Sequence, residues 1–162
     1  MKIGLDFDRV LFNTDKFDDF YKENVEGLYH VEDPAPVKHG VYDPEMHAEL
    51  CDIPIERIWK VFENDLSRFL YDDVSLIDDL KNDHEIVIVT RGNEKFQRKK
   101  VQASGIKDKV DNVVVVQEES KDSIDIDLLV DDRDYELERV NIPGIHIKRP
   151  EEGLKKVLEE VG

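Results

Sequence analysis

The first apolar run of the chain ends in two aspartates one residue apart, Ile3-Gly4-Leu5-Asp6-Phe7-Asp8. A later run ends in an adjacent pair, Leu128-Leu129-Val130-Asp131-Asp132. Between them Ile86-Val87-Ile88-Val89 leads into Thr90, and Lys121 follows the apolar stretch 113–117. Together these residue types can carry out phosphoryl chemistry. A carboxylate can attack phosphorus and hold the group as an aspartyl-phosphate. A second carboxylate can protonate the leaving alcohol and later activate water. Hard carboxylate oxygens suit Mg²⁺, which takes one or two of them besides waters and a substrate oxygen. Lys121 and the Thr90 hydroxyl can hold a transferring group, in a reaction that needs mainly positioning and charge stabilisation. Each residue also has an ordinary reading, since Asp favours strand-to-turn junctions and Thr suits strands. Their joint placement at strand ends favours chemistry. Lys99 and Lys100 compete with Lys121 but fall in a segment that reads as an amphipathic helix.

Five short apolar runs read as strands of a parallel sheet: residues 3–6, 86–90, 113–117, 128–131 and 145–147. Most lack polar alternation, as strands covered on both faces do. Helical patterns over 74–81, 94–104, 134–140 and 151–161 alternate with the later strands, which indicates a doubly wound α/β fold. Ligands of such sheets bind beyond the carboxyl ends of the strands, where the acids, Thr90 and Lys121 fall. The interval 14–72 is too long for an ordinary crossover. Within it, 15–26 and 55–70 read as helices, the second with Asp52 as N-cap and Pro54 in its first turn. Residues 32–44, with Pro34, Pro36 and Pro44, read as loop. A small helical insertion is therefore expected at the carboxyl edge of the sheet. Trp59, Phe62 and Phe69 read as its core, and Tyr21, Tyr29 and Tyr42 are candidates for its underside.

The 162 residues suffice for one core with a small insertion. The net charge of −16 speaks against nucleic-acid and anionic-membrane partners, which reward clustered Lys and Arg. It does not exclude a small phosphorylated substrate, because a bound cation can reverse the local sign. Cys51 is the only cysteine, so no internal disulfide and no cysteine metal cluster can form. His30, His39, His47, His84 and His146 lack metal-ligand spacing and read as loop or surface residues. No apolar stretch approaches a membrane span, and no signal pattern opens the chain; a cytoplasmic location is expected. No heptad pattern indicates an oligomeric state.

These motifs resemble the four of the haloacid dehalogenase superfamily, in the right order and over nearly the whole chain. Gly4-Leu5-Asp6-Phe7-Asp8-Arg9-Val10-Leu11 matches the first, Ile86–Thr90 the second, Lys121 the third, and Leu128-Leu129-Val130-Asp131-Asp132 the fourth. The resemblance implies strand order 3-2-1-4-5 in a Rossmann-like sheet. It implies a catalytic core of 1–13 and 73–162, with 14–72 as a helical cap. It implies Asp6 as nucleophile and metal ligand, and Asp8 as general acid/base with its backbone carbonyl on Mg²⁺. Asp132 would be the last protein ligand, with Asp131 and Glu136 one step behind. Thr90 and Lys121 would hold the phosphoryl group, with Arg9, Arg91 and Gly92 also near substrate. Members lacking the second acid of the first motif include dehalogenases and phosphonate cleavers, so Asp8 favours phosphate monoesters. Arg9 departs from the glycine many relatives carry; it is expected to meet substrate or to pair with an acid such as Glu136. The implied activity is Mg²⁺-dependent hydrolysis of a nucleoside monophosphate or sugar phosphate, with a slight lean to deoxyribonucleotidases. The alternatives are a noncatalytic phospho-ligand binder and a phosphotransferase.

Overall fold

The computed structural model describes residues 1–26, 37–38 and 40–162. Tyr29, His30 and His39 lie outside them. Five strands form one parallel sheet: β1 (Lys2–Leu5), β4 (Glu85–Arg91), β5 (Asn112–Val116), β6 (Leu128–Asp131) and β7 (Gly144–His146). Their spatial order, β5-β4-β1-β6-β7, is the expected 3-2-1-4-5. β1 is flanked by β4 and β6, with Leu5 opposite Ile88 on one side and Val130 on the other. The chain therefore leaves β1 at the switch point of the sheet, where ligand crevices form.

Both faces of the sheet are covered, which explains the continuous apolar runs. Ile3, Leu5, Ile86, Ile88, Leu128 and Val130 belong to one buried cluster; Val87, Val89 and Leu129 belong to another. Helix α5 (Glu94–Ser104) matches the expected bounds because both ends are signalled locally. The Asn93 side chain accepts from the Phe96 N–H, and Gly105 adopts φ 80° at the C-terminal stop. Helices α6 (Asp134–Glu138) and α7 (Leu154–Val161) are shorter than their apolar patterns. Likewise 72–76 forms a 3₁₀ turn before α4 (Ile77–Leu80).

The segment between β1 and β4 departs most from expectation. Helix α1 (Thr14–Asn24) is present, capped by Asn13. Then come a hairpin of β2 (Val37–Lys38) and β3 (Val41–Tyr42), and α2 (Pro44–Cys51), none of them read from the sequence. Asp52 does not start the next helix. It ends α2 in the left-handed conformation at φ 51°, which Asp tolerates better than most residues. The expected helix over 55–70 is broken into α3 (Ile55–Trp59) and 3₁₀ turns at 60–63 and 67–69. The break has a polar cause. Asn64 turns its amide onto the Val61 carbonyl, and Asp65 accepts from the Ser67 N–H, replacing helical backbone bonds. The apolar stripe remains useful: Ile58, Val61, Leu66 and Phe69 join the cluster that contains Ile3 and Leu5. Among the described residues, no helix is long and apolar enough to cross a membrane.

Candidate functional site

Asp6 follows β1 directly, and its N–H extends the ladder to the Val130 carbonyl at 2.9 Å. The chain then turns sharply. Leu11 and Phe12 donate backbone N–H groups to the Phe7 carbonyl, and Arg9 sits at φ 64°. Glycine adopts this left-handed conformation without the Cβ strain that Arg9 carries. The turn returns Asp8 over the end of the sheet.

Lys121 opens the 3₁₀ turn at 121–123 and is 2% exposed. Its Nζ donates to Asp6 at 2.9 Å and to Asp131 at 2.6 Å. The other Asp131 oxygen accepts from the Arg133 N–H at 3.0 Å, so both its oxygens are engaged. Carboxylate oxygens of Asp6, Asp131 and Asp132 lie within 4.8 Å of one another. Burial pushes the Asp6 carboxyl well above the usual carboxylate range; Lys121 opposes this, while the charges of Asp131 and Asp8 add to it. Burial and the Asp131 charge raise Asp132 as well. Lys121 is driven the other way: burial disfavours its charge, but the two carboxylates hold its pKa above normal. The Lys121 ammonium bonds only Asp6 and Asp131 of the three acids, so negative charge is in excess. Hard oxygen donors with that excess fit a divalent cation such as Mg²⁺.

Asp8 has different surroundings. Thr14 Oγ1 donates to Oδ1 at 2.9 Å, Lys100 Nζ to the same oxygen at 2.7 Å, and Gln97 Nε2 to Oδ2 at 2.9 Å. Burial would raise this carboxyl, but Lys100 and the hydrogen bonds bring it below the usual value. Lys100 is 4% exposed, its ammonium 5.2–6.0 Å from the ring centres of Phe96, Phe17, Phe7 and Phe12. The amphipathic-helix reading of 94–104 ranks Lys121 ahead of this lysine. Its stem instead runs over the apolar cluster to an acid 92 positions away. Gln97, also absent from the sequence reading, bridges Asp8 and the Thr90 hydroxyl, the latter at 2.6 Å. Gly92, at φ 153°, lets it approach: a Cβ there would lie 2.9 Å from Gln97 Cγ.

Asp6, Asp8, Arg9, Arg91, Gly92, Lys121, Asp132 and Glu136 line one cavity of about 380 Å³. Thr90 and Asp131 stand behind that lining. Arg9 does not pair with Glu136; it donates to Asp15 at 3.0 Å. Glu136, 1% exposed, is taken by Arg91 through two bonds of 2.7 and 2.8 Å. Arg91 reaches it because the residue sits at the end of β4, beside the α6 side of the cavity. Arg91 also donates to the Gln117 carbonyl, so its guanidinium is largely committed within the protein. The histidines were expected at loops and surface, but His47 of α2 is buried and fully hydrogen-bonded.

No protein-family model and no curated protein matches the sequence. Solved structures do share the fold. The magnesium-bound YfnB protein of Bacillus subtilis superposes with a TM-score of 0.60 at 14% identity, over 99% of this chain and 98% of that one. The L-2-haloacid dehalogenase of Xanthobacter autotrophicus gives 0.60 at 13%, over 99% and 82%. A predicted phosphatase from Clostridium acetobutylicum gives 0.56 at 16%, over 96% and 89%. The fold is thus the α/β fold of haloacid dehalogenase-like proteins. At such identities the likeness concerns the fold, and the chemistry must come from the site.

Proposed function

We propose that the chain is a Mg²⁺-dependent phosphatase of the haloacid dehalogenase superfamily, acting on a small phosphomonoester. The supporting observation is the pair of differently held carboxylates on one cavity: Asp6 beside Lys121 and Asp132, and Asp8 bound by Lys100, Gln97 and Thr14. Asp6 and Asp132 would hold Mg²⁺ by their carboxylates and Asp8 by its backbone carbonyl. Asp131, its oxygens spent on Lys121 and the Arg133 N–H, stands behind them. The ion supplies positive charge for the transferring phosphoryl oxygens.

An Asp6 oxygen attacks phosphorus and the ester P–O bond breaks. The leaving oxygen takes its proton from Asp8, whose pKa rises as the phosphate dianion enters beside it. Water then attacks the aspartyl-phosphate, giving its proton back to Asp8 and releasing inorganic phosphate. Lys100, Gln97 and Thr14 favour the ionised Asp8 that this second step needs. Lys121 favours the ionised form of Asp6 against the effect of burial and steadies the phosphoryl group. The Thr90 hydroxyl accepts from Gln97 and retains its own hydrogen to donate.

In this reading residues 1–13 and 73–162 form the catalytic core and 14–72 a cap, since Asp18, Tyr21 and Tyr42 reach the cavity from that interval. The leaving group is a nucleoside or a sugar. Phosphate release from a panel of phosphomonoesters, with Mg²⁺ and with excess chelator, tests the activity. Metal-dependent release concentrated on one chemical class is expected. No release, with Mg²⁺-dependent binding of the same esters retained, would turn the assignment to a binding protein.

A further inference from the structure

The wall of the cavity opposite the sheet carries a hydrogen-bonded row with a fixed direction. Tyr21 of α1 and Tyr42 of β3 meet through their hydroxyls at 2.5 Å. Tyr42 also meets His47 Nδ1 at 2.6 Å, and His47 Nε2 meets the Glu26 carbonyl oxygen at 2.7 Å. A carbonyl only accepts, so Nε2 carries hydrogen. In the neutral imidazole Nδ1 is then an acceptor, and Tyr42 donates to it. Tyr42 has a single hydrogen, so Tyr21 must donate across the 2.5 Å contact. Every donor of the row is spent inside the protein. Among the described residues, only phenol lone pairs remain to be offered: two on Tyr21 and one on Tyr42.

The row is rigidly placed. Tyr21 and His47 are buried, and both tyrosine rings meet Phe96 edge to face, with centroids 5.6 and 5.0 Å away. Tyr21, Tyr42 and Phe96 all line the cavity, as does Asp18, one helical turn before Tyr21 and another acceptor. Burial pushes both phenol pKa values up, so the rings stay neutral. An aromatic wall that offers acceptors suits a flat ring bearing an O–H or N–H. A ring carrying only an acceptor there would leave buried oxygens facing each other unpaired.

We propose that Tyr21 and Tyr42 select the substrate's leaving group by accepting a hydrogen bond from a donor on an aromatic ring, with His47 as the positioning residue that sets their direction. The proposal rests on the phosphatase reading only in taking this cavity as the substrate's seat. Two probes of closely similar size test it: meta-hydroxybenzyl phosphate and meta-fluorobenzyl phosphate, which differ by the donor. Their binding to Mg²⁺-loaded Asp6→Asn protein is measured by calorimetry, and their hydrolysis with the unaltered chain. The hydroxy ester should bind about tenfold tighter, the worth of one net hydrogen bond. Adding Tyr21→Phe should bring the ratio close to one. The ratio is the readout because general damage to the fold would weaken both esters alike. Equal binding, failure of both to bind, or a preference that survives Tyr21→Phe would overturn the proposal. Hydrolysis of both esters without preference would overturn it while leaving the phosphatase reading intact. Preference without hydrolysis would do the reverse.

Discussion

Asp6 and Asp8 stand two residues apart, each against a buried lysine, yet they are held in opposite ways. Lys121 divides itself between Asp6 and Asp131, with Asp132 close by, so Asp6 remains short of positive charge. Lys100 serves Asp8 alone among the described carboxylates it bonds, with Gln97 and Thr14 adding neutral donors. Burial dominates at Asp6 and raises its carboxyl; the partners prevail at Asp8 and lower it. The first group is left in need of a cation, and the second is complete without one. Two acids on one turn can thus take the two roles of a phosphatase through their neighbours alone.

The largest effect should come from Lys121→Met. It leaves Asp6 and Asp131 facing each other without their ammonium and should cost about 3–5 kcal/mol in urea unfolding. A loss under about 1 kcal/mol would mean the pair is not the buried anchor described, because that is the scale of surface pairs.

Next, the neutral variants should separate the two acids. A carboxyl with a raised folded pKa adds stability below its unfolded value, lost as pH rises through the folded pKa. Asp6 is such a group, so Asp6→Asn should be at least as stable as the parent at neutral pH without metal. A lowered pKa does the reverse: its stability is present above the unfolded value and is lost as pH falls through the folded one. Asp8→Asn should therefore lose about 3 kcal/mol at neutral pH, with Lys100 left buried and unpaired, and less in acid. Thermal melts across pH read both. Equal losses in the two variants would erase the distinction.

Lys100→Met keeps the stem and removes the charge. Activity should fall about 10–100-fold, as for other partners one step behind a reacting group. The Asp8 carboxyl then titrates higher, and because Asp8 acts as the acid in the step that kcat/KM reports, the alkaline limb of kcat/KM should move up in pH. An unmoved limb would separate Lys100 from Asp8. The smallest effect belongs to the turn between the acids. Arg9→Gly should change stability by less than about 1 kcal/mol, because relief of the left-handed backbone offsets the exposed pair with Asp15. Arg9→Val should cost about 1–2 kcal/mol at the same position.

The sheet and the strand-end acids were legible because their signals are local. An apolar run ends in Asp6-Phe7-Asp8 or Asp131-Asp132 whatever the rest of the chain does, and Asn93 and Gly105 mark α5 from within. The segment between β1 and β4 was less legible. A stripe of Ile58, Phe62, Leu66 and Phe69 fits one helix or several short turns equally well, and Asn64 and Asp65 decided it through their own side chains. Lys100 and Gln97 were missed for another reason. Helical periodicity gives a residue's own surroundings as polar or apolar, and cannot show that a long side chain will cross apolar rings to an acid on a distant loop. His47 was misread likewise, since both its partners come from outside α2.

The central claim is that Asp6 carries the phosphoryl group. Its most direct measurement is acid quenching during turnover of a phosphomonoester with Mg²⁺, followed by proteolysis and peptide mass analysis. The account predicts one phosphoryl group on the peptide containing Asp6 and none in Asp6→Asn, which should also be inactive. Undiminished turnover by Asp6→Asn, or a phosphoryl group on another residue, would contradict it.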